Sequence, residues 1–268
     1  MSMQLTVRQR RLARQLVLYV VLIAVLAWVV ASVDWTKVQQ TFFNVDGLKH
    51  NWHDLILTGV KNTIICTAAA FVGGLAFAIV LALMKLSDVA VYRWLATGYI
   101  ELFRGLPALV TILLVGFGVP IAFGWTPPGG GLGSGAVGLI LVAAAYMAET
   151  LRAGIQAVPK GQTEAARSLG MSPTKTMVSI VLPQAFRVII PPLTNELVLL
   201  IKDTSLIAVL GSTVNGRELT NVARDMLTSG PSSGTSTSLI MAAFLYLAIT
   251  LPLTQLVAWL ERRQRRAR

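Results

Sequence analysis

Pro159-Lys160-Gly161-Gln162-Thr163-Glu164-Ala165-Ala166-Arg167-Ser168-Leu169-Gly170 opens a hydrophilic stretch that closes on Ile180-Val181-Leu182-Pro183, and long apolar blocks flank it on both sides. Local physics reads it as two short helices joined by a sharp turn. Thr163 is placed to N-cap the first, with Glu164 in a first turn where the helix dipole favours a carboxylate. Gly170 is the natural left-handed stop. Ser172 and Pro173 restart a helix as N-cap and first helical residue, and Pro183 ends or bends it. Ala165 and Ala166 have almost no bulk, so another protein surface can approach the backbone closely. A knob seated in a partner's cleft and an ordinary amphipathic loop helix both fit that description.

Outward from this stretch, the chain is 54% hydrophobic and 13% charged, with a mean hydropathy of +0.67. That is too apolar for a soluble domain. Blocks of about 20 apolar residues are long enough to cross a bilayer. Candidates are Leu16–Val33, Thr63–Leu83, Leu95–Val119, Leu132–Ala148, Val188–Leu210 and Leu239–Leu260. The fold class expected is all-α, a polytopic membrane protein with about six transmembrane helices. The third and fifth blocks are the weakest by hydropathy because they contain Glu101, Arg104, Lys202 and Asp203. Residues 34–57, with Trp35, Phe42, Phe43 and Trp52, read as an external loop with interfacial aromatics or an amphipathic helix lying on the membrane. His50 and His53 lie one helical turn apart within it, and two histidines alone are a weak metal pattern. Gly124–Gly135 and Ser229–Ser238 read as irregular or flexible connections. Recurrent Ala and Gly, as at Gly73 and Gly74, suit close helix packing in lipid. Cys66, the one cysteine, reads as a small buried hydrophobe.

The net charge of +11 could point to nucleic acid. Its distribution points elsewhere. Basic residues cluster before the first block (Arg8, Arg10, Arg11, Arg14), after the last (Arg262 to Arg268) and in and around the 159–183 loop (Arg152, Lys160, Arg167, Lys175, Arg187). With six spans all three clusters face one side, which places both termini and that loop in the cytoplasm. Anionic lipid head groups, not nucleic acid, are the partner this pattern fits. The first apolar run is span-length and no clear small-x-small site ends it, so it reads as a retained helix and not a signal peptide.

Glu164-Ala165-Ala166, Gly170 and Ile180-x-Leu182-Pro183 have the spacing of the EAA loop, and the chain resembles the permease subunits of ABC importers. Gln184 to Asn195 and Lys202-Asp203-Thr204-Ser205-Leu206 resemble the polar-amino-acid branch of that family, as does Glu101 through Pro107. Leu106 stands where the family often has a small polar residue. The resemblance implies a five-helix core over 58–268 preceded by an added helix and external loop over 1–57, in a bacterial cytoplasmic (inner) membrane. It implies a coupling loop at about 159–183 in which Glu164, Ala165, Ala166, Gly170, Ser172 and Pro173 engage the ATPase. The implied partners are ABC ATPase subunits, an extracytoplasmic binding protein, and a second permease, identical or homologous. No Gly-x-x-x-x-Gly-Lys-Ser/Thr run occurs, so ATP and Mg2+ are expected on the partner ATPase, with no cofactor or catalytic site on this chain.

Charges at membrane depth are costly unless paired or facing water. Glu101 and Arg104 are spaced to pair along one helix face, and they count with Asn195, Lys202, Asp203, Thr204 and Ser205 among the candidate substrate-path residues. About 15 residues at 1.5 Å each put Lys202 roughly 20 Å inward from Arg187, near the midplane, where interrupted helices expose backbone to substrate. For an amino-acid substrate, Asp203 and Asn195 offer acceptors to the ammonium, and Lys202, Thr204 and Ser205 offer donors to the carboxylate. Structural ion pairs with neighbouring helices are the competing explanation. Glu149 and Arg152 read as a structural or gating pair with Tyr146 beside them. An ion-coupled secondary transporter or channel would also show six spans and buried charges, without needing the EAA loop. An intramembrane enzyme lacks a nucleophile or metal constellation to support it.

Overall fold

The computed structural model describes residues 7–211 and 216–266, and every regular element among them is helical. Ser2 and Arg268, the ends at which sidedness was expected, lie outside the described residues. Helix α1 (Val7–Ser32) is apolar enough to span a bilayer, and its most apolar window buries nothing against the rest of the chain. Asp34 caps the short α2 (Trp35–Phe42), and Asn44 caps α3 (Val45–Asp54) by accepting from the Gly47 amide at 2.9 Å.

The next span starts well before Thr63. Helix α3 runs through a wide turn at Leu55–Val60 into α4 (Lys61–Leu86), giving one span-competent helix over Lys49–Leu86. Trp52 and Leu55 to Leu57 supply apolar surface that lets it extend into the segment read as a loop.

The third block is not a straight helix. Helices α5 (Ala90–Gly105) and α6 (Ala108–Leu113) meet at 105°. Pro107 disfavours a helical Leu106, whose backbone is extended at φ −88°, ψ 140°. A second wide turn at Leu114–Gly118 leads to α7 (Val119–Phe123). The loop that follows is shorter than Gly124–Gly135 suggested, because α8 (Gly130–Gln156) already begins at Gly130. Apolar burial outweighs the poor helix propensity of its glycines: Ser134, Gly135, Gly138 and Leu139 are buried.

The core centres on α4 packed along α8. A Cβ at Gly74 would come within 2.9 Å of the Ala143 Cβ, so these backbones approach as closely as small residues permit. After the 159–183 loop, α9 (Lys160–Ser168) and α10 (Pro173–Thr176) are followed by α11 (Leu182–Asp203), a tighter 3-10 segment (Thr204–Leu210), α12 (Leu219–Thr228) and α13 (Thr237–Arg266).

Two polar clusters fix the outer elements. Glu218 is fully buried and caps α12 with both oxygens, accepting from the Thr220 amide at 2.7 Å, the Asn221 amide at 2.6 Å and the Tyr246 hydroxyl at 2.9 Å. Ser229–Ser238 is tied down where a flexible linker was expected. The Ser236 amide donates to Thr41 O at 2.7 Å, the Asn44 amide to Thr237 Oγ1 at 3.0 Å, and Asn51 Nδ2 to Ser232 Oγ. Buried hydroxyls need partners, and these find theirs in the N-terminal extension.

Candidate functional site

Helix α9 starts earlier than its sequence suggested. Pro159 is the N-cap residue, with no side-chain cap bond, and Lys160 is already helical. Thr163 therefore does not cap the helix, and Glu164 lies beyond its first turn. Proline, with its φ fixed at a helix-compatible value, sets the start instead.

The far end follows the expected chemistry. Gly170 has φ +81°. Its amide donates to Arg167 O at 3.0 Å and the Met171 amide to Ala166 O at 3.1 Å, the paired bonds of a Schellman stop. Ser172 Oγ then accepts from the Lys175 amide at 3.3 Å, and Pro173 takes the first helical position.

Ala166 is the buried alanine of the pair, while Glu164 and Ala165 face outward. Leu169 is 84% exposed beside them, a large apolar side chain held at the tip of the turn. Its place next to the glycine stop was visible in the sequence, but nothing in the spacing said which way it points.

Pro183 does not end the helix. A wide turn at Met177–Val181 absorbs its missing N–H, and Gln184 Nε2 donates to Ile180 O at 2.9 Å. The result is one helical run over Pro173–Leu210. The 159–183 loop is therefore continuous at its C-terminal end with α11, and at its N-terminal end it leaves α8 after Gln156.

Those two helices wall a cavity of about 200 Å³. Leu139, Val142, Ala143 and Tyr146 come from α8, and Glu196, Leu199, Leu200 and Asp203 from α11, with Leu106 and Ala108 at the bend closing a third side. Glu196 and Asp203 are seven residues apart, two helical turns, so both carboxylates share one face. Glu196 was missed by sequence reasoning, although its spacing to Asp203 was the available signal.

The other proposed path residues do not line this cavity. Asn195 and Lys202 are exposed. The Thr204 hydroxyl donates to Ile201 O at 2.7 Å and the Ser205 hydroxyl to Lys202 O at 2.6 Å. Both satisfy helix carbonyls where α11 tightens, the local use to which Ser and Thr hydroxyls are suited.

Glu101 and Arg104 form no ion pair among the described residues. Arg104 instead lies over the Tyr146 ring at 5.6 Å from its centroid, and the Tyr146 hydroxyl donates to Arg104 O at 3.4 Å. Tyr146 is thus engaged with Arg104 and not with Glu149. The Glu149–Arg152 pair is present, and Lys85 joins it from α4 with Nζ 3.0 Å from Glu149 Oε2. Three charges pin α4 to the end of α8. His53 lies 3.8 Å from Asp54, and both are exposed.

A family model described as binding-protein-dependent transport system inner membrane component matches residues 74–266. The probable glutamine ABC transporter permease protein GlnM of Bacillus subtilis (strain 168) is 35% identical over 220 residues, covering 82% of this chain and 97% of the relative. The glutamate/aspartate import permease protein GltK of Escherichia coli O6:H1 is 36% identical over 214 residues, 78% of this chain and 92% of the relative. The crystal structure of an amino acid ABC transporter with histidines superposes with a TM-score of 0.69 at 34% identity, covering 78% of this chain and 93% of that one. These likenesses favour an ABC permease over an ion-coupled transporter or channel. The chain belongs to the binding-protein-dependent transport system inner membrane components, and it is a multi-pass ABC-importer permease.

Proposed function

We propose that this permease forms the membrane path for a polar amino acid in an ATP-driven importer. The observation that carries the reading is the cavity between α8 and α11, with Glu196 and Asp203 on one wall and leucines around them. A carboxylate pair in apolar surroundings favours an ammonium, the group that all α-amino acids share. The names of the relatives, which include glutamine and glutamate/aspartate permeases, support the same cargo class.

Cargo arrives from an extracytoplasmic binding protein. Two permeases, identical or homologous, enclose the path. ATP and Mg2+ act on separate ATPase subunits that dock on the 159–183 loop, with Glu164, Ala165, Ala166, Gly170, Ser172 and Pro173 at the contact and Leu169 as its apolar tip. Because the loop joins the helices that form the two long cavity walls, a displacement at α9 and α10 reaches Glu196 roughly 35 Å along a continuous helix, at 1.5 Å per residue. Closure of the ATPases then alternates the access of the cavity. Both termini and the loop face the cytoplasm.

The test is uptake of radiolabelled amino acids by proteoliposomes holding the full complex, with ATP inside. Competition by other polar amino acids, and its absence with sugars or free metal ions, supports the reading. ATP-independent uptake driven by a sodium or proton gradient overturns it.

A further inference from the structure

We propose that the groove between the ends of α11 and α13 binds the head group of an anionic phospholipid. Arg187, Ile190 and Pro191 form one wall, and Leu260, Arg263 and Gln264 form the other, around a space of about 450 Å³. Each triplet has i, i+3, i+4 spacing, so each is a continuous stripe on its helix and the two stripes face each other.

The chemistry along the groove is graded. Ile190, Pro191 and Leu260 give it an apolar floor, while the two guanidiniums and the Gln264 amide supply only donors and amide polarity at its rim. Neither Arg187 nor Arg263 is in an ion pair among the described residues. Glu261 is two residues from Arg263, hence on the far side of α13, and does not line the groove. Arg263 lies over the Trp259 ring, 5.4 Å from its centroid, which orients its guanidinium.

Two unneutralised guanidinium forks above an apolar cleft match a phosphate diester with acyl chains attached. They match a zwitterionic lipid less well, because nothing in the groove offers an acceptor charge to choline. The groove opens where α13 changes from apolar residues to Glu261-Arg262-Arg263, the level at which head groups lie. A second basic recess, lined by Lys85, Arg93 and Arg152, is weaker on the same chemistry, since Glu149 already engages Lys85 and Arg152.

The test is native mass spectrometry of the full-length, delipidated permease titrated with dioleoylphosphatidylglycerol or with dioleoylphosphatidylcholine. Preferred binding of the anionic lipid is expected, weakened roughly 30-fold in Arg187→Gln/Arg263→Gln. The control Arg10→Gln/Arg11→Gln removes the same charge from the start of α1 and should keep the preference. Ile190→Trp fills the floor while retaining both arginines, and should also lose the lipid; it decides the matter if the double variant does not survive purification. Unchanged binding in the groove variants overturns the proposal, as does equal loss in the α1 control. Equally tight binding of glycerol 3-phosphate would mean a free-anion site and overturn it too. So would loss of ATPase copurification in the groove variants with lipid binding intact, which would make the groove a protein contact.

Discussion

Glu196 and Asp203 face a leucine-lined cavity, unlike Glu149, which spends its charge on Lys85 and Arg152. Glu196→Gln and Asp203→Asn each remove one charge-assisted contact to a bound ammonium, worth about 1.5–3 kcal/mol. Each should raise the substrate concentration for half-maximal uptake roughly tenfold or more, with basal ATP hydrolysis unchanged. Transport assays and thermal stability measured on one preparation check this. Unfolding in place of a transport defect would assign the residue a structural role, and normal uptake would take it off the path. Gly170 permits a second residue-scale experiment. No neighbour lies within 4 Å of a Cβ placed there, so Gly170→Val acts through its φ of +81° alone, at a cost of about 1–2 kcal/mol. Membrane insertion should persist while transport-linked ATPase stimulation falls. Gly161→Ala, also in open space but without a positive φ, should leave stimulation intact.

At the scale of elements, the sequence spoke most clearly where backbone chemistry is local. The stop at Gly170 and the restart at Ser172-Pro173 could be read because a left-handed glycine and a Ser-Pro cap depend on a few adjacent residues. The start of α9 could not, because Thr163 and Pro159 are both credible entries and choosing between them depends on how α8 delivers the chain. Span cores were legible from hydropathy. Their ends were not, because burial recruits glycines into α8 and three wide turns let helices continue past Thr58, Phe117 and Pro183. Glu218 is not legible as a buried cap in the sequence, because an acidic side chain before Leu219 reads as solvent-facing until Thr220, Asn221 and Tyr246 converge on it. Among the cavity residues, Asp203 stands out in the sequence because it adjoins Lys202 and the hydroxyls of Thr204 and Ser205, whereas Glu196 adjoins no other charge. The hydroxyls of Thr204 and Ser205 turn back to carbonyls of their own helix, a local choice that residue type alone does not reveal.

For the whole molecule, the charge clusters make a claim about sidedness. Reporter fusions after Ser2, at Gly161 and after Arg268 should all report the cytoplasm, and one outside result would remove the six-span arrangement. Helix α1 adds a span without burying its apolar window against the described chain, whereas α2 and the start of α3 are bonded to the segment before α13. The 105° corner between α5 and α6 then governs parity. A bent pair that traverses the bilayer counts as one crossing and reverses the side of everything after it. A bent pair that dips and returns counts as none and leaves the sides as they were. Six crossings put the two ends of the chain together, and five would part them. Water-soluble thiol reagents applied to Ser87→Cys and Trp125→Cys read that parity directly: opposite-side labelling means that the corner is crossed, and same-side labelling means that the chain turns back there.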